Sequence, residues 1–290
     1  MPNGIIIIDK PADWTSMDVC AKLRGILREK RIGHAGTLDP MATGVLPVFV
    51  GRATRAVEFA GEGEKEYVAG LKLGLVTNTQ DTSGEVLEQH PVSVSREMLE
   101  AVLPRFRGDI LQIPPMYSAI KINGKKLYEL ARKGREVERP ARSITIHALT
   151  VEKQPAPDEF ILRVRCSKGT YVRTLCHDIG RALGCGGCMS RLRRTMAAGF
   201  TLEQSVTLEQ IQQAEDPFAL LLPVDTCFSA CPELSLTDAL ETKVRNGMTV
   251  VLPGAADGEY RVYGARGDFL ALGRMEQGRL HTIKSFFEVT

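Results

Sequence analysis

The chain of 290 residues carries a formal net charge of +2, and 43% of its residues are hydrophobic and 25% charged, proportions typical of a soluble protein of about two domains. No stretch approaches the roughly 18 apolar residues of a membrane span, and the apolar part of the opening "GIIIIDKP" is too short for a signal peptide. Seven cysteines, an odd number, do not indicate a disulfide framework, so we expect a cytoplasmic protein.

Hydrophobic periodicity predicts alternating strands and helices in the first half of the chain. In chain order they are a strand in "GIIIIDKP", a helix in "TSMDVCAKLRGILREK", a strand in "KEYVAGLKLG" and a short helix in "SREMLEAVLPRFRG". Thr15 and Asp18 have the capping-box spacing that begins a helix, and Pro104 ends the second helix. The proline-bounded segment "PPMYSAIKINGKKLYELARKGREVERP" begins extended, continues as a basic helix, and is predicted to project from the core as a hairpin.

The second half is predicted to contain a strand, a helix and then a small β-rich domain. The segment "EFILRVRCSKGTYVRTLCHDIGRALG" reads as a strand running into a helix, with Gly184 suited to the C-terminal cap. From about residue 232, the segments "NGMTVVLPG", "GEYRVYG" and "GDFLALGRM" are short strands separated by glycine turns. This pattern indicates a small β-barrel-like domain appended to the main one.

Positive charge is concentrated in two segments of the chain. Residues 121–142 hold eight Lys or Arg against three acids, and residues 163–194 hold eight against Asp178 alone. Residues 203–242 contain no Lys or Arg. Each cluster alone is typical of a solvated helix face, but the two together favour a surface that binds a polyanion such as a nucleic acid.

The loop "GHAGTLDPMATG", residues 33–44, surrounds a single carboxylate, Asp39, with three glycines and a proline. Pro40 restricts the backbone of the preceding aspartate, and Gly33, Gly36 and Gly44 allow close approach to another backbone or a ligand. An isolated Asp-Pro is usually only a turn. No carboxylate partner lies nearby in sequence for acid–base catalysis, but a lone carboxylate can act as a covalent nucleophile.

Several motifs together resemble one enzyme family. They are "DKPADWTSMDV", "GHAGTLDPMATGVLPVFVGRATR", "KEYVAGLKLG", "PPMYSAIKINGKKLYELARKG", "CSKGTYVRTL" and "LRRT". In order and spacing, over roughly residues 5–200, they resemble the tRNA pseudouridine-55 synthases of the TruB type. Those enzymes convert one uridine in the T-loop of tRNA to pseudouridine, so the resemblance implies the same isomerase activity, with the uridine flipped out of its stack.

The resemblance also implies roles for individual residues. Asp39 corresponds to the nucleophile, which attacks either C1′ of the sugar or C6 of the uracil, and Arg173 pairs with it. Tyr171 contacts the base and is placed to move the C5 proton. The substrate-binding set then consists of His34, which packs against the displaced T-loop, Tyr67, which stacks on the uracil, Leu192, which completes an apolar wall, and Lys10 of the first motif.

The implied architecture is mixed α+β, the pseudouridine-synthase fold with a large, mainly antiparallel sheet. We expect a catalytic domain at 1–230, with a basic thumb at about 115–142 that closes on the T-arm of tRNA, and a domain resembling the RNA-binding PUA type at 231–290. The reaction is redox-neutral, so the resemblance implies no metal and no small-molecule cofactor. We expect a monomer that has tRNA as its partner and no contact with a membrane.

Two alternatives remain open from the sequence. Cys185 and Cys188, with Cys227 and Cys231, could supply four thiolates to a structural zinc and so indicate a zinc-stabilised hydrolase. However, the resembling family has no metal in the first of these stretches. The other alternative is a non-catalytic tRNA-binding or folding factor on the same scaffold, which would have no need for Asp39 facing anionic RNA.

Overall fold

A computed structural model describes residues 2–122 and 124–288. The helices are α1 (Ser16–Leu27), α2 (Val57–Glu62), α3 (Arg96–Val102), α4 (Leu127–Ala131), α5 (Val172–Ala182), α6 (Leu208–Gln213) and α7 (Asp238–Arg245). The strands are β1 (Gly4–Lys10), β2 (Ile32–His34), β3 (Thr43–Val50), β4 (Lys65–Leu73), β5 (Leu75–Thr77), β6 (Val86–Gln89), β7 (Gly108–Gln112), β8 (Lys121–Ile122), β9 (Lys125–Lys126), β10 (Arg142–Ala156), β11 (Glu159–Cys166), β12 (Gly187–Ala197), β13 (Phe200–Thr201), β14 (Glu233–Ser235), β15 (Val250–Val251), β16 (Gly258–Tyr263), β17 (Phe269–Glu276) and β18 (Arg279–Ser285).

A nine-stranded sheet forms the main body of the protein. Seven of its strands run in the order β1-β3-β12-β4-β11-β10-β7, and the short β2 and β13 pair with β3 and β12. Every described pair in this sheet is antiparallel except β3 with β12. The prediction of a mixed α+β fold with a large, mainly antiparallel sheet is therefore confirmed.

One face of the central strands carries the largest core. Tyr67, Ala69, Leu71 and Leu73 alternate along β4 and are all buried, as the period-2 pattern predicts. Helices α3 and α5 cover this face and add apolar residues such as Leu175 to the same cluster. Burying one stripe of each helix against one face of the sheet fixes where the first turn of α5 lies.

The predicted start of α1 and the predicted ends of α3 and α5 are also confirmed. Thr15 caps α1, its side chain accepts a hydrogen bond from the Asp18 N–H, and the Asp18 carboxylate accepts from the Thr15 N–H, a complete capping box. Helix α3 passes into a 3₁₀ turn, residues 103–106, that contains Pro104. Gly184, just beyond α5, has φ +79°, the left-handed conformation expected of a C-terminal cap.

The predicted hairpin between residues 115 and 142 contains less helix than its sequence suggests. Strands β8 and β9 pair, and α4 adds only five residues before the chain continues irregularly to β10. Residue 123 lies outside the described residues. Leu127 is fully buried at the root of this segment. The sequence predicts the thumb at about 115–142. In the structure the chain leaves the sheet after β7 and returns to it at β10, so the name thumb below refers to residues 113–141.

The C-terminal residues form a second, five-stranded sheet in the order β14-β16-β17-β18-β15, with its own apolar core. Its packing against the main body centres on Phe228, whose ring centroid lies 5.4 Å from Phe59, 6.0 Å from Phe269 and 5.7 Å from Phe286. The Tyr263 hydroxyl also donates a hydrogen bond of 2.6 Å to the Asp225 carboxylate. The boundary at 230/231 remains our proposal.

We predict that Phe228→Ala destabilises the protein by about 3–5 kcal/mol, because it removes the buried ring that joins the two sheets. Phe218→Ala is the matched control, since Phe218 is 45% exposed and its loss should change the stability little. Urea unfolding followed by circular dichroism measures both variants. Equal stabilities for the two would mean that the aromatic cluster does not hold the domains together.

Candidate active site

The backbone of the Asp39 loop is held on both sides of the aspartate. The Leu38 N–H donates to Ser16 Oγ at 3.0 Å, at the first residue of α1. The Pro40 carbonyl accepts from the Asp13 N–H at 2.9 Å and from the Lys10 ammonium at 3.1 Å. The Asp39 carbonyl accepts from the N–H of Ala42. Asp39 is therefore presented on a fixed backbone, with its side chain 36% exposed.

Arg194 of β12 holds the same loop from the sheet. Arg194 is 1% exposed, and its guanidinium donates to the carbonyls of Gly36 and Val45 at 2.9 and 2.7 Å. Gly44 has φ +101°, and a Cβ there would lie 2.2 Å from the Arg194 carbonyl oxygen. Gly44 is thus required by the close approach of β3 to β12. Gly33, in contrast, has no such neighbour, since its nearest atom would be 3.9 Å away.

Arg173, the second residue of α5, binds Asp39 directly. Its Nε lies 2.9 Å from Asp39 Oδ2, and its Nη2 donates to Oδ1 at 3.3 Å. The same guanidinium donates to the carbonyls of Thr79 and Tyr117 at 3.0 and 2.8 Å, and the Arg173 side chain is 6% exposed. A planar fork with five donors can satisfy all these acceptors at once, which an ammonium cannot do in a fixed geometry. The pairing of Arg173 with Asp39 is thus present in the structure.

A second carboxylate near Arg173 was missed from the sequence. Asp81 Oδ2 lies 3.8 Å from Arg173 Nε, with the Asp81 side chain 7% exposed. Its other oxygen accepts hydrogen bonds from Thr79 Oγ1 and from the N–H and Oγ of Ser83. In sequence, "TNTQDTSG" reads only as a turn-rich loop, because nothing local shows that it packs against α5. Asp81, the one acidic residue of this segment, was the sequence feature that could have indicated a contact with a cation.

Tyr67 and Leu192 lie side by side in the sheet next to the Asp39 loop. Leu192 of β12 pairs with Ala69 of β4, two residues from Tyr67. Both side chains are 8% exposed and share a cluster with Leu38 and Ala42, which flank Asp39 in the chain. Burial raises the pKa of Tyr67, so the phenol is neutral at physiological pH. The two residues form an apolar wall beside the carboxylate.

Tyr171 immediately precedes α5 and is half-buried. Burial raises the pKa of its phenol, while the positive charges of Arg173 and Arg142 act in the opposite direction. The negative charge of Asp39 also acts on the pKa of this phenol and on that of Tyr67. Tyr171 is therefore a protonated hydrogen-bond donor near the carboxylate.

His34 is the last residue of β2, at the start of the loop, and Lys10 is the last residue of β1, which contacts the loop. Burial and the nearby Arg194 cation lower the pKa of His34, and its Nδ1 has no hydrogen-bond partner among the described residues. Lys10 is fully buried, and its ammonium donates to the carbonyls of Pro11 at 2.8 Å, Trp14 at 2.6 Å and Pro40 at 3.1 Å. Burial lowers the pKa of Lys10 to about 8. A role of Lys10 in substrate binding stays a prediction. In this structure its ammonium ties the loop at Pro40 to the segment that follows β1, through Pro11 and Trp14.

The two basic clusters differ in how their charges are balanced. In residues 163–194, six of the eight cations contact carboxylates: Arg163 contacts Glu66 and Glu152, Arg165 contacts Glu64, Lys168 contacts Glu62, Arg173 contacts Asp39, Arg191 contacts Glu159 and Arg193 contacts Asp9. In the thumb cluster, the ion pair that the described residues show is Arg139 with Glu136, at 3.4 Å. The second cluster is therefore largely paired with carboxylates that are distant in sequence, whereas the thumb cluster carries more charge without such partners among the described residues. That the two clusters form one polyanion-binding surface stays a prediction.

The two cysteine pairs do not come together. Cys185 belongs to the core beneath α5, whereas Cys227 and Cys231 pack in the cluster that contacts the C-terminal sheet. Burial raises the pKa of Cys188 to about 11 and that of Cys227 to about 12, which disfavours the thiolates that zinc requires. Across residues 2–122 and 124–288, no three His, Cys, Asp or Glu side chains are grouped so that they could hold a metal ion.

Known protein families match nearly the whole length of the chain. Residues 24–172 match the family described as "TruB family pseudouridylate synthase (N terminal domain)". Residues 173–229 match "tRNA pseudouridylate synthase B C-terminal domain", and residues 232–283 match "Pseudouridine synthase II TruB, C-terminal". The chain belongs to the TruB family of pseudouridylate synthases.

Similar members of the TruB family are known from several bacteria. A tRNA pseudouridine synthase B of Stutzerimonas stutzeri is 46% identical over 286 residues, which cover 96% of this chain and 93% of that protein. The protein of the same name from Clostridium kluyveri is 39% identical over 98% of this chain and 99% of its own length. These proteins align with both predicted domains.

Solved structures show the same fold. A chain in the crystal structure of a Cbf5-Nop10-Gar1 complex superposes with a TM-score of 0.75 and 27% identity, over 98% of this chain and 85% of its own. A chain in the structure of an H/ACA RNP bound to a substrate RNA containing 2′-deoxyuridine gives a TM-score of 0.75 with 25% identity, over 98% and 85%. The predicted pseudouridine-synthase fold, with a small β-barrel-like domain at the C-terminus, is thereby confirmed.

We predict that Gly44→Ala destabilises the protein by more than about 2 kcal/mol, because its Cβ would clash with the backbone of β12 at a left-handed φ. Gly25→Ala is the matched control: Gly25 lies in α1, and a Cβ there has nothing within 4 Å, so alanine should gain about 0.5–1 kcal/mol of helix propensity. Chemical denaturation compares the two. Wild-type stability in Gly44→Ala would show that β3 and β12 can separate there without cost.

Proposed function

We propose that this TruB-family chain is a tRNA pseudouridine-55 synthase, an isomerase that converts uridine to pseudouridine at position 55 of the T-loop. The observation that carries the proposal is the Asp39 carboxylate, partly exposed, bound by Arg173, and held on a backbone tied at Gly36, Leu38 and Pro40. A turn aspartate would need none of these restraints. Synthesis of pseudouridine in tRNA is also the activity named for the relatives that cover most of the chain.

In the proposed reaction, Asp39 is the nucleophile on a uridine that has left its stack. It attacks either C1′ of the ribose or C6 of the uracil. The bond between N1 and C1′ breaks, the ring turns, and a bond between C5 and C1′ forms. The bond between Asp39 and the substrate then breaks, or is displaced by C5 if Asp39 was bound to C1′, and the free carboxylate is restored. The proton on C5 is lost and N1 gains a proton, so no electrons are transferred and no metal or organic cofactor is called for.

Arg173 stabilises the negative charge of Asp39 in a site that the substrate closes to water. A cation that also binds two backbone carbonyls cannot follow the carboxylate when it moves, so it orients the nucleophile as well. The Asp81 carboxylate, 3.8 Å from the same guanidinium, limits its rotation further. Asp39 therefore meets the uridine in one orientation.

The remaining residues receive the flipped base. Tyr67, neutral and set in an apolar wall with Leu192, stacks on the uracil, and Leu192 excludes water from its edge. The protonated phenol of Tyr171 donates to the base and takes part in moving the C5 proton. His34, also neutral, packs against the displaced T-loop. Lys10 supports this pocket from below, through the Pro40 carbonyl.

The thumb closes on the T-arm by binding phosphates. Lys121, Lys125 and Lys133 are exposed, and the thumb as a whole carries more cations than carboxylates. Recognition then rests on phosphate contacts, loop shape and base stacking, as is usual for single-stranded RNA loops. The C-terminal sheet extends the RNA-binding surface.

We expect the protein to act as a monomer in the cytoplasm. Among the helices of residues 2–122 and 124–288, none is long and apolar enough to cross a membrane.

We predict that Asp39→Asn lowers single-turnover pseudouridine formation on unmodified tRNA by several orders of magnitude, because an amide is a far weaker nucleophile than a carboxylate. Its fold and tRNA affinity should persist, since asparagine is nearly isosteric. Asp13→Asn is the control, because Asp13 is an exposed carboxylate close to the same loop, with its N–H bound to the Pro40 carbonyl. Substantial turnover in Asp39→Asn would leave a non-catalytic or differently catalysed tRNA-binding protein as the better description.

We predict that replacing Lys121, Lys125 and Lys133 together by Gln weakens tRNA binding and flattens its salt dependence. The slope of log K against log salt should fall in magnitude by about 1 for each lysine that no longer binds a phosphate. A charge-matched control replaces Arg163, Arg165 and Arg191, which are already bound to carboxylates, by Gln. If both triple variants change the slope equally, net charge and not the thumb governs binding.

A further inference from the structure

Gln112, the last residue of β7, binds the backbone of Tyr171 at two points. Its Oε1 accepts a hydrogen bond of 2.8 Å from the Tyr171 N–H, and its Nε2 donates one of 3.1 Å to the Tyr171 carbonyl. The Gln112 side chain is buried, and the residue is 3% exposed. Two bonds from one planar amide fix both the position and the rotation of the peptide groups around Tyr171.

Outside α5, Gln112 is the hydrogen-bond partner that the described residues show for the Tyr171 backbone, while Ser118 of the thumb interacts with the phenol. Tyr171 is the N-cap residue of α5, and its side chain makes no capping hydrogen bond. Its carbonyl accepts the first bond of the helix, from the Leu175 N–H at 3.0 Å, but its N–H is bound by Gln112 alone among the described residues. Loss of Gln112 would leave that N–H without its partner and free the peptide to turn.

Gln112 also lies where the thumb joins the sheet. It is the last residue of β7 before the thumb, and it pairs with Arg142, the first residue of β10 after the thumb. Further along, within the thumb, the Tyr117 carbonyl accepts a hydrogen bond of 2.8 Å from Arg173. Gln112, directly before the thumb, and Tyr117, within it, thus contact Tyr171 and Arg173 at the start of α5.

We infer that Gln112 is a positioning residue for the isomerisation: it orients the Tyr171 phenol toward the flipped uracil and ties that orientation to the seating of the thumb on RNA. The inference rests on the proposed function, in which Tyr171 contacts the base. Gln112 itself touches no reacting atom. A residue that only filled space at a sheet edge would not need both ends of its amide bound to one backbone unit.

The test compares Gln112→Met, which has nearly the same shape but no polar amide, with the wild-type protein. At saturating unmodified tRNA the single-turnover rate should fall roughly 10- to 100-fold, the effect of a misplaced catalytic group. The Kd for tRNA should stay within about threefold, since the phosphate-binding cations of the thumb are unchanged. Gln112→Glu keeps the acceptor for the Tyr171 N–H and should give an intermediate rate. A Met variant within about twofold of the wild-type rate would overturn the inference, since the expected effect is several times larger.

Two further measurements separate positioning from loss of structure. Asp109→Ala removes another side-chain contact of β7, the 2.6 Å bond from Thr145 Oγ1, without touching α5, and should keep the wild-type rate. An equal loss of rate in Asp109→Ala would assign the effect to the sheet edge and overturn the inference. Hydrogen exchange at the Tyr171 amide should be faster in Gln112→Met, and unchanged exchange would also overturn it. If the wild-type protein made no pseudouridine, the proposed function would fail, and the exchange comparison alone would decide whether Gln112 holds Tyr171.

Discussion

The ion pair between Arg173 and Asp39 is the contact on which the candidate site depends. It joins the loop after β2 to the first turn of α5, and the same guanidinium reaches the backbone at Thr79 and Tyr117. Four segments far apart in sequence are therefore held by one buried cation. Removing the guanidinium would leave the carbonyls of Thr79 and Tyr117 and the partly exposed Asp39 carboxylate without their common partner, and unpaired polar groups in a folded protein reduce its stability.

Two other buried cations repeat this arrangement under the loop. Lys10 and Arg194 are both almost inaccessible to solvent, and each donates to backbone carbonyls of the loop or the strand that follows it. Backbone carbonyls that face inward from an irregular loop need hydrogen-bond donors, because they have no partners in a strand ladder. Lys10 and Arg194 supply those donors. The protein thus builds a rigid irregular segment with charged side chains in places where apolar residues would be expected. Asp39 remains the exposed polar group at the top of this arrangement.

Local patterns predicted the local elements well. The capping box of α1, the alternation of β4 and the left-handed Gly184 each follow from residues adjacent in sequence, and each is present. The motif resemblance also implied the pairing of Asp39 with Arg173. The contacts that could not be predicted join residues far apart in sequence. They are the approach of Asp81 to Arg173, the two hydrogen bonds from Gln112 to the Tyr171 backbone, and the ion pairs of the strand arginines with carboxylates. A sequence shows charge along the chain but not which charge lies across the sheet.

The parallel pairing of β3 with β12 has a consequence for the order in which the protein assembles. β12, residues 187–197, lies between β3 and β4, which both end before residue 74. A nascent chain emerging from the ribosome therefore carries two early strands with an open gap until β12 has been made. Contacts of such large sequence separation slow folding and leave strand edges exposed in the meantime. Since Arg194 arrives with that strand, the loop around Asp39 takes its final shape only when the gap closes.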